Sequence, residues 1–267
     1  MDLSYKDYMG RQFRELEEDR LQERALALRP SGNYKRNGAG WVPQSYPGFA
    51  VISMIDENEN NGLSAMLKSV QMELLEQCPW EDALYLLPAD SFHQTVANNL
   101  SEERFLQQIQ RPGLEPVYPD LVARAFTRLP SLPPRVLPMR LIGVSIFGTA
   151  LGALGVFDSQ AEYRRILDFR AGFYADAHLS ALDIRMTRPF IGHITLAYIE
   201  ADLDATQREA LAAAVYRINR RWPAGSRDPS APIEQALPTF NLPLTGLRRY
   251  HHLSAFHREE DYPRYHL

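Results

Sequence analysis

The sequence predicts an α+β fold built mainly from antiparallel strands, and three observations lead to it. Apolar segments of strand length alternate with segments of helical period. Most neighbouring strand candidates are joined by hairpin-type connections, not by the crossover helices of a parallel sheet. The chain, 267 residues and 45% hydrophobic, has apolar material for one large core or two small ones.

Residues 3–28 read as one amphipathic helix, because Tyr5, Tyr8, Met9, Phe13 and Leu16 recur at steps of three and four before the charged run LEEDRLQER. Such a helix either packs on the body of its own chain or docks a partner. From Pro30 to Pro47 the composition turns to Gly, Pro, Asn and Ser, which reads as an irregular connector. Its glycines lack the GK[ST] ending of a phosphate-binding loop. Residues 1–47 are therefore set apart as an N-terminal helix and connector, and residues 48–267 as the main domain.

Within that domain Phe49–Ile55 is expected as a strand, Leu63–Gln77 as an amphipathic helix, and Ala83–Leu87 and Ser91–Asn98 as extended segments separated by Pro88. Helical stretches are expected after Ser101 and over Leu121–Leu129, before the proline cluster LPSLPP. Leu141–Phe157 is a run of 17 uncharged residues holding four glycines. It is short for a membrane span of about 20 residues, and Gly148–Gly152 reads as a turn, so two buried strands folded back on each other are predicted. A helix over Gln160–Ala175 and a strand over Phe190–Ile199 follow. The next helix, Ala205–Trp222, places Leu211, Val215, Ile218 and Trp222 on one stripe. The chain closes with two strands, Pro232–Leu244 and Leu247–His257, joined around Gly246.

A net charge of −4 argues against coating a long duplex, which needs a basic field to neutralise phosphates. All but three of the 29 basic residues are Arg, whose planar fork suits phosphate, although genome composition gives the same bias. The single Cys78 excludes an internal disulfide and a Cys-rich zinc site. The N-terminus is too charged for a signal peptide, and no membrane segment is expected; both point to the cytoplasm.

One pattern occurs twice. Residues 92–97 read FHQTVA and residues 192–197 read GHITLA, so each holds H-x-T-x-A inside a segment expected as a strand. Side chains alternate along a strand, so His93 shares a face with Thr95, and His193 with Thr195. Val96, Ile194 and Leu196 then face an apolar core. Two such motifs arise by accident on the order of one time in fifty. Paired H-x-T suits acid–base chemistry at a phosphate: a neutral imidazole accepts a proton while a protonated one gives one to the leaving oxygen. The Thr hydroxyls donate to the non-bridging oxygens, where charge builds. Each motif alone reads as a polar patch on a half-exposed strand; the matched pair reads as a site.

At these residues the sequence resembles the 2H phosphoesterase superfamily, whose members carry two His-x-Thr/Ser motifs at this separation and include RNA 2′,3′-cyclic phosphodiesterases and plant cyclic phosphodiesterases. The resemblance runs from YPGFAVIS through SFHQTV and MRLIGVSIFG to FIGHITLAYI, and fits a bacterial branch with an N-terminal extension. It implies a bilobal fold in which two antiparallel-sheet lobes, related by a pseudo-twofold and with helices outside, face each other across a central cleft. One motif comes from each lobe. On that expectation His93 and His193 are catalytic, Thr95 and Thr195 bind the phosphate, and no metal or cofactor takes part. His193 is assigned as general base and His93 as general acid, roles that exchange between ring closure and ring opening. Two positions depart from the family pattern: Gly192 stands where a bulky apolar residue is usual, and Gln94 where an apolar one is.

Among other residues, His251, His252 and His257 lack the spacing of a metal site, since adjacent strand residues point to opposite faces. Tyr250 or His252 is a candidate to reach the cleft and stack on a base, against surface placement. Trp41 and Tyr46 are candidates for an aromatic wall, against core packing for Trp41. Arg248 and Arg249 are read either as steering an anion or as a solvated turn, and His178 as a loop residue. The expected activity is hydrolysis of a 2′,3′-cyclic phosphate or a short oligonucleotide. The alternatives are a non-catalytic module that binds a nucleotide or RNA end, and an interaction protein working through the N-terminal helix.

Overall fold

A computed structural model describes residues 2–38, 40–55, 60–80, 82–130, 133, 135–222 and 237–267. The elements in chain order are α1 (Tyr5–Arg14), α2 (Glu18–Leu26), β1 (Tyr34–Asn37), β2 (Gly40–Pro43), β3 (Gly48–Met54), α3 (Leu63–Gln77), β4 (Leu84–Leu86), β5 (His93–Ser101), α4 (Glu102–Phe105) and α5 (Tyr118–Thr127). Then come β6 (Leu137–Ile146), β7 (Ala150–Phe157), α6 (Gln160–Tyr174), α7 (Ala177–Ala181), β8 (His193–Ile199), α8 (Ala205–Arg221), β9 (Thr239–Leu242), β10 (Leu244–His252), β11 (Ala255–His257) and β12 (Arg264–His266).

The strands form two five-stranded antiparallel sheets and a small hairpin. One sheet runs β11-β10-β3-β5, with β12 also paired to β10; the other runs β4-β8-β7-β6-β9. The architecture is the expected α+β one of two sheet lobes with helices outside. Each H-x-T segment is a strand of a different sheet, next to an antiparallel partner, β3 for β5 and β7 for β8. The lobes are interlaced in sequence. β4, which lies between β3 and β5 in the chain, joins the second sheet beside β8, and α6, which follows β7, lies against β5 of the first.

Local sequence accounts for the starts of two long helices. Ser159 and Glu162 form a capping box at α6, and Asp204 and Gln207 another at α8, each satisfying backbone donors that the first turn leaves open. The hairpin expected in the uncharged run is β6–β7, every residue of β7 being buried. No helix among the described residues is long and apolar enough to cross a membrane.

Several expectations are corrected. Residues 3–28 are two helices, because the α1 helix ends at Glu15, whose carboxylate turns back to Arg20 and Arg24 of α2. The connector contains a β-hairpin, β1–β2, instead of being irregular throughout. His178 lies in the short helix α7, capped by Asp176, and not in a loop. Gly246 is not a joint: it lies inside β10, while the change of direction is at Pro243, where the chain leaves one sheet for the other. Arg249 is not in a solvated turn but buried in β10, hydrogen-bonded to Glu115 at 2.5 Å over the Phe49 and Phe105 rings. Of the strand expected over Pro232–Leu244, residues 232–236 lie outside the described residues, as do 131, 132 and 134 of the proline cluster.

The N-terminal segment belongs to the same core as the lobes. Tyr8, Met9, Leu16, Leu21, Ala25 and Leu28 are buried in it, and Tyr8 stacks on Tyr163 with ring centroids 4.3 Å apart. Arg208 of α8 donates to the Ala25 and Leu28 carbonyls at the open end of α2. Truncating a buried aromatic of this kind costs about 3–5 kcal/mol. Tyr8→Ala is expected to lower stability by about that amount in urea titration; an unchanged midpoint would show that the extension only rests on the surface.

Candidate active site

The two motif strands are built alike down to an irregularity. In β5, Thr95 pairs with Ile52 and Ala97 with Val51, so β5 advances two residues while β3 advances one. In β8, Thr195 pairs with Gly152 and Ala197 with Leu151, the same step against β7. Each strand thus carries a bulge between its Thr and its Ala, at Val96 and at Leu196. Burial follows the same sequence in both: half-buried His, buried x, half-buried Thr, then two buried residues and a half-buried one. The bulge moves the exposed face forward by one residue, so the next side chains on the His and Thr side are Asn98 and Tyr198, not Ala97 and Ala197.

A bulge frees a buried carbonyl, which needs a donor. Arg170 of α6 donates to Val96 O at 2.8 Å, and Gln71 of α3 donates to Leu196 O at 2.7 Å and Leu87 O at 2.8 Å. Arg170 is itself buried, paired with Asp2 at 3.0 Å and donating to Arg188 O. Asp2 also accepts from Phe190 N, which fixes the segment leading into the second motif.

The two departures from the family pattern find physical reasons here. Gln94 is fully buried; its Oε1 accepts from His193 N at 2.6 Å and its Nε2 donates to Thr95 O and Ile191 O. It ties one motif to the other. A Cβ on Gly192 would stand 2.5 Å from Gly155 O and 2.8 Å from the Tyr8 hydroxyl. That space is taken by α1, whose Tyr8 donates to Gly155 O and whose Gln12 donates to both Gly155 O and Gly192 O.

His93, Thr95, His193 and Thr195 all line one cleft of about 270 Å³, with Tyr46, Asn98, Ser101, Arg188, Tyr198 and Tyr250 among its other walls. Among the described residues no carboxylate lines it. His93 Nδ1 lies 2.7 Å from Ser91 O, and His193 Nδ1 lies 3.1 Å from Ile191 O, in each case the carbonyl two residues back. A carbonyl only accepts, so each Nδ1 carries the hydrogen and each Nε2 keeps its lone pair for the cleft. Each ring also lies against a phenyl ring, His93 on Phe256 and His193 on Phe147. Burial pushes both imidazoles down to about 4, and for His193 the Arg188 guanidinium and His93 add to the effect.

Tyr250 and Tyr46 both line the cleft, and their rings stack on each other. Trp41 is not among the lining residues: it packs edge-on against Tyr85 under the Arg36 guanidinium. His252 is also outside the lining, its Nδ1 hydrogen-bonded to Ser254 Oγ at 2.9 Å. Sequence reasoning missed Asn98, Tyr198, Ser101 and Arg188. Asn98 and Tyr198 were hidden by the bulges, whereas the Arg188–Pro189 step before the second motif was a readable sign of a basic residue in an extended approach. Among the described residues no cluster of His, Cys, Asp and Glu has the makings of a metal site.

Residues 34–109 match a family described as "2H-phosphodiest: Domain of unknown function (DUF1868)". That segment carries the first motif, and the resemblance to the 2H phosphoesterases is shown over it. Comparison with curated proteins finds no match. The chain is similar in structure to a conserved protein of unknown function, ATU0111, from Agrobacterium tumefaciens, with 18% identity, a TM-score of 0.56, and 84% of this chain and 89% of that one covered. The two share a fold. A second solved structure, TT0787 of Thermus thermophilus, covers 75% of this chain and 87% of its own at 17% identity with a TM-score of 0.42.

Gly192→Ala is expected to destabilise by about 1–3 kcal/mol through overpacking, while Gly148→Ala, with nothing within 4 Å of the added carbon, stays near neutral. Equal effects in chemical denaturation would count against this account of Gly192. The histidines also set a sign for acid stability. Their folded values lie below the unfolded value near 6.5, so the unfolded chain binds protons first and stability falls as pH drops from about 6.5 to 4. His93→Gln, probed by melting temperature over that range, should flatten part of the decline.

Proposed function

We propose that this chain is a metal-independent phosphodiesterase that hydrolyses 2′,3′-cyclic phosphates or short oligonucleotides by two-histidine acid–base catalysis. The observation that carries the reading is the convergence of two H-x-T pairs on one cleft, each imidazole tied through Nδ1 to its own backbone and offering Nε2. The 2H family match over the first motif supports it.

In hydrolysis of a cyclic phosphate, His193 Nε2 takes a proton from water as the water oxygen bonds to phosphorus. The P–O bond to one ribose oxygen breaks, and protonated His93 gives that oxygen its proton. Thr95 and Thr195 donate to the non-bridging oxygens, and Arg188 adds a positive charge at the rim. The assignment of His193 as base is favoured by Arg188, whose charge opposes protonation of His193. Tyr46 and Tyr250 offer a stacked pair of rings for a base, an interaction worth about 1–3 kcal/mol. With both imidazoles neutral near pH 7 in the empty cleft, the substrate's phosphate anion is what raises the acid's affinity for its proton.

Hydrolysis of 2′,3′-cyclic nucleotides and short oligonucleotides is expected to persist in EDTA and to fall by about 10²–10⁴ in His93→Ala and His193→Ala. Full activity in either variant, or loss in EDTA, would end the mechanism; saturable binding without turnover would favour the binding-module alternative. The pH profile has a definite sign. The fraction of free protein carrying the acid's proton falls as pH rises above about 4, so kcat/KM should decline between pH 5 and 8, with kcat holding to higher pH because bound phosphate favours imidazolium. A kcat/KM that rises to a plateau above pH 7 would contradict it.

A further inference from the structure

We propose that the cleft continues into a second phosphate site, formed by Arg248, Arg258 and Arg264, which holds a phosphate other than the one being cleaved. The proposal rests on the phosphodiesterase reading and narrows its substrate to a single-stranded oligonucleotide.

The position follows from strand register. On β3, Met54 stands opposite His93 and Ile52 opposite Thr95; on the other side, Ile52 stands opposite Gly246 and Ala50 opposite Arg248. Ala50, Ile52 and Tyr250 form one small apolar cluster, and Ala50 and Tyr250 line the main cleft, so Arg248, between Gly246 and Tyr250, points to the cleft side. Two strand spacings, about 10 Å, separate the Thr95 and Gly246 backbones. Here a second depression of about 360 Å³ has Ile52 and Met54 in its floor and Arg248, Arg258 and Arg264 around it.

Among the described residues no carboxylate lines this depression, and none of the three arginines has an ion-pair partner. Elsewhere the chain pairs its cations freely: Arg20, Arg24, Arg140, Arg170 and Arg249 each meet a carboxylate. Arg248 Nε is buried without a hydrogen-bond partner. Three guanidinium groups around one depression with no paired carboxylate among the described residues repel one another, and a buried donor left open adds to the cost. A phosphate relieves both, since the guanidinium fork matches its oxygens in bidentate fashion. In a chain of net charge −4, the cluster is not a by-product of a basic surface.

The test is fluorescence anisotropy with a fluorescein-labelled uridine tetranucleotide over a range of salt, beside kcat/KM on a 2′,3′-cyclic mononucleotide. Arg248→Gln/Arg258→Gln is expected to weaken tetranucleotide binding at least tenfold and to make the log–log salt slope shallower by about 1.4, from two lost phosphate contacts on a single strand. Cyclic mononucleotide turnover should stay within twofold. Arg264→Gln, an exposed change that leaves packing untouched, should show the same pattern at smaller size. Unchanged affinity and slope, no tetranucleotide binding by the native protein, or an equal loss on the mononucleotide would each overturn the site. Arginine-dependent binding without hydrolysis of any substrate would uphold it and refute the phosphodiesterase reading instead.

Discussion

The cleft depends on a one-residue bulge made twice, at Val96 and at Leu196. A regular ladder would leave the strand after each Thr presenting Ala, a side chain too short to reach a ligand. The bulge instead brings Asn98 and Tyr198 round to the His and Thr side, and at each bulge an inward-facing side chain donates to the buried carbonyl, Arg170 to Val96 O and Gln71, beside Leu87 N, to Leu196 O. The two donors come from opposite halves of the sequence. Gln71 of α3, in the first half, holds the second motif, and Arg170 of α6, in the second, holds the first. Neither half of the chain therefore makes its own motif strand complete, and the site forms only when both are folded together.

The N-terminal segment extends this logic by one layer. Arg170 is a buried cation, tolerable because Asp2 pairs with it and two carbonyls accept from its Nη1 and Nη2. Tyr8 and Gln12 serve the other motif, closing on the carbonyls of Gly155 and Gly192 where β7 meets the approach to β8. The residues that a shorter chain would leave to water or to a bulky side chain before His193 are covered by α1. An extension and a glycine that look unrelated in the sequence are two sides of one contact.

Much of this was legible in the sequence. The duplicated H-x-T-x-A, the hairpin in the uncharged run and most helices were readable because each is a local pattern of period or chemistry. What escaped was set by register and by distant partners. Alternation points Ala97 and Ala197 at the ligand, and only pairing with β3 and β7 reveals the extra residue in each strand. Gln94 was visible as an oddity, but its role requires knowing that the His193 backbone is its neighbour. The break between α1 and α2 follows from Glu15 being held by Arg20 and Arg24, a tertiary arrangement that overrides a continuous helical period. Arg249 looked like its neighbour Arg248, yet one faces aromatic rings inside and the other the cleft side, the ordinary consequence of adjacency in a strand.

The electrostatics of the cleft follow from what orients its histidines. In many acid–base sites a carboxylate holds the far nitrogen, fixing the tautomer and also stabilising the imidazolium that forms. Here two backbone carbonyls fix the tautomer, with no full charge to offer, and the walls add two phenyl rings and, among the described residues, no carboxylate. Geometry is thereby separated from charge. The rings are aimed in advance but stay neutral until an anion arrives, and two neutral imidazoles in one cleft avoid the repulsion that a pair of imidazolium ions would suffer. On the proposed phosphodiesterase reading such a cleft would discriminate by charge at the moment of protonation: a neutral ligand of the same shape would leave both rings as bases, while a phosphate would convert one of them into an acid. On that reading no overall positive field is required, in keeping with a net charge of −4.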